Sequence, residues 1–383
     1  MSSSLSPSVH LFPLISAFGV YAVLSYFEHS GLTAAFHESQ AQSWPARLLP
    51  DGRTPVRTSY TGLGGLDAYL ANLQYIFVPV VDGSSWELAL LGWHWGGLLL
   101  VLFTVMLGES VRTGRRRELV FFALWGLAIQ YCGWFVTMPL YCYVHLLSSS
   151  SSTQTPPTAT IGQASESAVR MVPISVLVGY AFPSVAMSLS ALHSGDSRQV
   201  AVAVWQQFPV WIAIVQWALT SFPPRDTAPR KSTSKSAKIS FDNSLAHVYN
   251  AMALVSGLMH VSGLVPIVLA TVCPEQLNAL SLDESTIQSL RAGNFFLPPK
   301  WDSPVQIDSM AEGAGNFLRY DYYIGTAAAL LWAAMLQAAC VKDAPPSMRK
   351  SGWLASTGVT QVLMIVATTV VLGPAYTIAS LIV

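Results

Sequence analysis

Apolar residues along this chain gather into long runs, and polar residues collect in the gaps between them. A bilayer crossing takes roughly 20 mostly apolar residues. That rule predicts spans at 86–107, 119–147, 168–191, 199–222, 245–273, 321–341 and 353–382, with a further one over 10–29. The run 66–82 is shorter, suited either to a tilted crossing or to a helix that enters only partway. The expected architecture is an all-α polytopic membrane bundle of eight or nine transmembrane segments, forming a single domain over 1–383. Helices are expected because lipid offers no hydrogen bonds, so each segment must close its own backbone.

The gaps differ in character. Residues 30–65 read as a polar loop carrying Arg47, Arg53 and Arg57, and 148–166 as a flexible Ser/Thr/Pro tract. Residues 223–240 are basic and read as unstructured, while 274–320 is long enough to fold as a cap over one membrane face. The basic runs Arg112–Arg117 and Arg230–Lys238 should both face the cytosol. Three predicted spans lie between them, so the charge pattern leaves orientation open.

Composition agrees with a membrane setting. Of 383 residues, 52% are hydrophobic and 10% charged, with a mean hydropathy of +0.45; soluble chains carry about 25% charge. Net charge is zero, so nothing recommends a nucleic-acid partner; the bilayer and a lipophilic small molecule are the expected partners. Cys132, Cys142, Cys273 and Cys340 stand in or beside apolar runs without metal or disulfide spacing, and read as small buried hydrophobes. The first ten residues lack a basic n-region, so the first apolar run is expected to stay as an anchor, with the endoplasmic reticulum as default home.

The placement of acids narrows the chemistry. Asp67, Asp82, Glu87, Glu109, Glu118 and Asp321 all fall at predicted span ends, and no acid falls at a span centre. That argues against an ion path through the midplane and suits a site near one face. On a helix over 66–82, Asp67, Gln74, Tyr75 and Asp82 share one polar stripe, with the two acids roughly 22 Å apart along the axis. Those two cannot act on one bond. Pro79 is expected to kink the segment just before Asp82.

Asp321 opens its predicted span, followed by Tyr322 and Tyr323. It reads either as a helix N-terminal charge or as a carboxylic acid that keeps its proton among aromatics and donates it. Glu109 stands beside Arg112, where a salt bridge is the plainer reading. The candidate proton donors are thus Asp321 and Asp82, then Asp67 and Glu109.

Aromatic residues are abundant, with 12 Trp, 14 Tyr and 16 Phe. Trp93, Trp95, Trp125, Tyr131, Trp134, Phe135, Trp205 and Trp211 lie inside predicted spans rather than only at their rims. Ring faces stabilise cations without attacking them, so these residues, with His94, His260 and Tyr322, are candidates to line a pocket for a carbocation. The plainer reading of each ring is packing, and of each lone histidine a hydrogen bond between helices. The histidines stand on separate segments or opposite helix faces, so no metal site and no cofactor is expected. DDxxD, DxDD, GxSxG, HExxH, P-loop and GxGxxG patterns are all missing.

Several stretches carry a resemblance. TGLGGLDAYLANLQYIFVPVVDGS, FPSVAMSLSALH with VAVWQQFPVWIAIVQ, and EGAGNFLRYDYYIGTAAALLWA resemble a family of fungal membrane proteins of secondary metabolism. Its best-known members are the membrane-bound terpene cyclases of ascochlorin- and ascofuranone-type meroterpenoids. The likeness runs over roughly residues 58–341, with TGLGGLD standing where the family pattern is closer to TGIPxLD. The resemblance implies an isomerase- or lyase-type cyclisation started by protonating a terminal epoxide or alkene of a farnesyl-type chain. No diphosphate leaves, so it implies no magnesium. It does not say which acid gives the proton. Two other readings stay open on the residues alone: an exporter of lipophilic metabolites, and an isomerase of sterol-like lipids.

Overall fold

The computed structural model describes residues 7–42, 47–112, 116–151, 164–189, 195–221, 234–343 and 358–383. Every element among them is a helix. In chain order they are α1 (Leu11–His29), α2 (Leu32–Ala41), α3 (Gly64–Val81), α4 (Trp86–Arg112), α5 (Arg116–Cys132), α6 (Trp134–Ser151), α7 (Ala164–Val176), α8 (Phe182–Ser188), α9 (Gly195–Trp205), α10 (Phe208–Ser221), α11 (Ser234–Val272), α12 (Pro274–Ala279), α13 (Glu284–Leu290), α14 (Ala292–Phe296), α15 (Met310–Asp343), α16 (Val359–Leu372) and α17 (Pro374–Ile382). A π-type turn over Leu177–Ala181 joins α7 to α8.

Helix α4 is the axle. Its residues are apolar on every side, as suits a helix buried all round, and each one from Gly97 to Gly108 is buried. Helices α3, α5, α7, α11, α15 and α17 pack around it. Gly97 lets α11 come close: a Cβ there would lie 3.1 Å from Ser256 Oγ. Small residues play this part wherever lipid supplies no hydrophobic drive between helices.

Among the described residues, five segments are long and apolar enough to cross a membrane: Ser8–His29, Trp86–Arg112, Ser167–Ser188, Asp242–Val272 and Met310–Cys340. A sixth counts if α9 and α10, bent by 60° at their junction, form one span. Against the expected eight or nine segments, the described residues thus hold five or six candidate spans, and two of the predicted spans are interrupted at a glycine.

The predicted span 119–147 breaks at Gly133, whose φ is +90°, a conformation glycine reaches without strain. The chain then turns back on itself. Trp125 and Tyr141, eight residues to either side, bring their ring centroids within 5.8 Å, where a straight helix would hold them about 24 Å apart. The predicted span 353–382 likewise breaks at Gly373, also at φ +90°; Thr369 and Thr377 meet across that turn at 3.2 Å. The second arm, α17, is buried against α11 and α15, while α16 buries none of its residues.

Other boundaries also shift. Residues 30–65 include α2, and the segment after Arg47 runs beside α3 and α9: Arg47 bonds Asn72 Oδ1 (2.8 Å) and Tyr75 Oη (3.1 Å), and Arg57 pairs with Asp196. Residues 234–240 are helical rather than unstructured; 222–233, and 152–163 of the Ser/Thr/Pro tract, lie outside the described residues. Residues 274–296 form the short helices α12–α14. Helix α15 starts at Met310, so Asp321 does not open a span but is its twelfth residue, inside the apolar segment. Cys132 and Cys340 are exposed, against expectation, and only Cys142 is fully buried.

Candidate functional site

Asp321 sits against the apex of the α5–α6 hairpin. The reversal at Gly133 leaves the first N–H groups of α6 without partners in their own helix. The Asp321 carboxylate accepts from Phe135 N–H at 2.7 Å, with Trp134 N–H also facing it. It is 7% exposed, and no cation pairs with it among the described residues. Arg319, two positions earlier, turns elsewhere: it bonds Glu87, Asn316 Oδ1 (2.7 Å) and the Phe295 carbonyl (2.7 Å).

Rings assemble around this apex. Trp134 is fully buried and meets Trp95 edge-on at 5.9 Å; Trp95 in turn meets Tyr322 at 5.3 Å. On the other flank Tyr131 stacks on Tyr69 of α3 at 5.2 Å, and Tyr69 Oη donates to the Tyr131 carbonyl at 3.0 Å. Tyr131 Oη is bonded by Gln207, in the bend between α9 and α10. Gln206 beside it is 0% exposed, and neither end of its amide has a partner; Trp134 Nε1 is also unpaired. Segments from α3, α4, α15 and the α9–α10 bend thus meet the hairpin on both sides of its apex, and Asp321 binds the apex itself.

The histidines come together in a way the sequence concealed. His94 and His260 meet edge-on at 4.9 Å, with Phe295 at 6.0 Å from His94. His260 Nε2 lies 3.2 Å from the Val370 carbonyl, just before the Gly373 turn. Among the described residues no three His, Cys, Asp or Glu side chains gather as a metal would require.

The other acids lie elsewhere. Asp67 is bound by the turn before α3: Oδ1 accepts from Thr61 N–H (2.7 Å) and Oγ1 (2.8 Å), Oδ2 from Gly62 N–H (3.0 Å). The Thr61 N–H favours the charged form and holds this carboxyl below the usual carboxylate range. Asp82, at the far end of α3, is some 13 residues and about 20 Å from Tyr69 along the axis. Its Oδ1 accepts from Ser84 N–H at 2.8 Å, and it lines a cavity of about 320 Å³ with Asp51, Thr54 and Arg198. Glu109 forms the expected pair with Arg112 at 3.0 Å.

Of the predicted pocket residues, Trp95, Tyr131, Trp134 and Tyr322 converge near Asp321, and His94 and His260 pair beside them. Trp93 is 46% exposed, its indole donating to the Met259 carbonyl (2.8 Å). Trp211 is exposed and bonds the Val204 carbonyl. Trp125 packs on Tyr141 within the hairpin, and Trp205 packs against Phe77, Tyr180 and Phe208. Sequence reasoning missed Tyr69, Gln206 and Gln207. The signals were a lone glycine before Trp134 and a polar pair followed by proline within an apolar run, QQFP.

The fold and site define an all-helical protein with five or six candidate spans among the described residues and a buried carboxyl at the apex of an aromatic-bearing hairpin. The profile described as the CtvD domain matches residues 8–383, and the chain belongs to that family. It is similar to terpene cyclase ascI of Acremonium egyptiacum, 27% identical over 319 residues, which cover 82% of this chain and 76% of that one. It is equally similar to terpene cyclase ctvD of Aspergillus terreus, 27% identical over 332 residues, covering 85% and 86%. Terpene cyclase atmA of Aspergillus flavus is 25% identical over 331 residues, covering 84% and 83%. No solved structure matches the chain.

Proposed function

We propose that this protein is a terpene cyclase that closes rings on a farnesyl-type chain, probing for its substrate from the bilayer, with Asp321 as the proton donor. The observation that carries the reading is a buried carboxyl with no ion-pair partner among the described residues, bonded to the Phe135 N–H at the hairpin apex where Trp134 packs on Trp95 and Trp95 on Tyr322. The family membership and the relatives' names support the reaction class.

The Asp321 O–H proton passes to the oxygen of a terminal epoxide. The C–O bond breaks towards the more substituted carbon, and the oxygen leaves as a hydroxyl. Each double bond in turn attacks the developing cation, and loss of one proton from the last cation ends the sequence. The product is an isomer of the substrate. The hairpin apex keeps the carboxyl oriented through backbone N–H groups, the rings stabilise charge where it develops, and the packed interior excludes water that would quench the cation. The epoxidised chain is expected to belong to a prenylated, meroterpenoid substrate drawn from the membrane, with the endoplasmic reticulum as the site of action. Asp82, Asp67 and Glu109 are assigned no part in the proton transfer.

The test is incubation of microsomes containing the protein with a terminally epoxidised farnesyl meroterpenoid. A product of equal mass and higher ring count is expected. Unchanged substrate across epoxidised and plain prenyl chains, with uptake into sealed vesicles instead, would mark an exporter.

A further inference from the structure

The cavity at the far end of α3 contains an unexplained charge. Arg198 lines it, is 8% exposed, and makes no hydrogen bond or ion pair among the described residues; its Nε is shielded and unpaired. Burying a cation without a partner is costly. The placement adds to that cost: Arg198 is the fourth residue of α9, where the positive end of the helix dipole disfavours a cation and favours an anion or acceptor.

The neighbouring acids do not compensate. Asp51 Oδ1 accepts from the N–H groups of Arg53 and Thr54, both at 2.9 Å, and its Oδ2 from Thr54 Oγ1 at 2.5 Å. Asp82 gives Oδ1 to Ser84 N–H. Neither comes within ion-pair distance of Arg198. Leu49 and Val78 supply apolar wall. The cavity, about 320 Å³, is several times the roughly 30 Å³ share of one water.

We propose that this cavity is a second binding site, separate from Asp321, which takes an acceptor oxygen (carboxylate, carbonyl or phosphate) at the end of a lipophilic chain. Arg198 donates to that oxygen, and Leu49 and Val78 receive the first carbons of the chain. The site does not depend on the cyclase reading, because its occupancy is read without turnover.

Purified full-length protein in maltoside micelles would be titrated with farnesoic acid, methyl farnesoate and the hydrocarbon farnesene. The acid and the ester should bind at least about tenfold tighter than farnesene, as expected for charge-assisted hydrogen bonds. Arg198→Met should erase that preference and leave farnesene binding unchanged, while Arg198→Lys should keep part of it. Asp82→Asn removes a like charge from the wall, so it should tighten the acid several-fold and leave the ester unchanged.

Phosphatidic acid vesicles added as competitor distinguish the source: displacement of farnesoic acid from the wild type identifies a lipid headgroup as occupant of the same site. Equal binding of acid, ester and hydrocarbon overturns the proposal, as does undiminished acid binding by Arg198→Met. Should Arg198→Met fail to fold, an unaltered acid affinity in both Arg198→Lys and Asp82→Asn overturns it as well.

Discussion

Two hairpins in this molecule use the same backbone device for different ends. Helices α5 and α6 reverse at Gly133, α16 and α17 at Gly373, both at φ +90°, with the second arm starting at the next residue. Each apex therefore exposes the N–H groups of a helix start. At Gly133 a carboxylate from another helix meets them, and aromatic rings close around it. At Gly373 the neighbour is His260, and a Cβ on the glycine would lie 2.7 Å from His260 Cγ. One turn presents an acid to the interior, while the other positions a histidine pair. The lesson is that backbone geometry makes the opening, and whichever helix packs across it decides the chemistry.

The comparison can be broken most directly at the acid. Asp321→Asn keeps an acceptor for Phe135 N–H but removes the transferable proton. Turnover of an epoxidised farnesyl substrate should fall by about 10²–10⁴-fold, the usual weight of general acid catalysis, with thermal stability nearly unchanged. Wild-type rates in that variant would reduce Asp321 to a helix cap.

The two glycines sharpen the contrast. Gly133→Ala and Gly373→Ala each force a side chain into a positive-φ position, costing about 1–3 kcal/mol, measurable as a lowered unfolding temperature. Gly133→Ala should also cut turnover, because its Cβ would lie 2.9 Å from Phe135 Cδ1, next to the N–H that orients Asp321. Gly373→Ala should leave turnover closer to wild type.

Asp67 is a carboxylate used for structure rather than chemistry. Asp67→Ala would remove the acceptor of the Thr61 and Gly62 N–H groups, which lie at exposed residues, and should lower the unfolding temperature slightly, with turnover per folded molecule unchanged. Its pH dependence follows from the lowered folded value. The stability it contributes is present above the ordinary carboxylate range and is lost as pH falls through the folded value, which a series of acid melts against Asp67→Asn would detect. The smallest effect belongs to Glu109→Gln. That half-buried pair with Arg112 is worth about 1 kcal/mol, and kcat should not move.

Much of the fold was legible in the residues. Apolar runs located α1, α4, α11 and α15, since a helix in lipid must be oily along its length. The two hairpins were not legible as reversals, because an apolar run containing one glycine reads the same whether it continues or turns back. The same blindness put Asp321 at a span end: the eleven residues before it in α15 are mixed in polarity, and only packing against α1, α4 and α6 makes them helix interior.

By itself the sequence determined the all-helical membrane class, the family, and the short set of acids and rings from which any site had to be drawn. These follow from hydropathy and residue chemistry, which are local. Tertiary structure decided which acid meets the hairpin apex, which aromatics pack there, that His94 and His260 touch, and that Arg198 has no partner among the described residues. Those are statements about neighbours from distant segments, and burial and pairing acquire values only once the helices have packed.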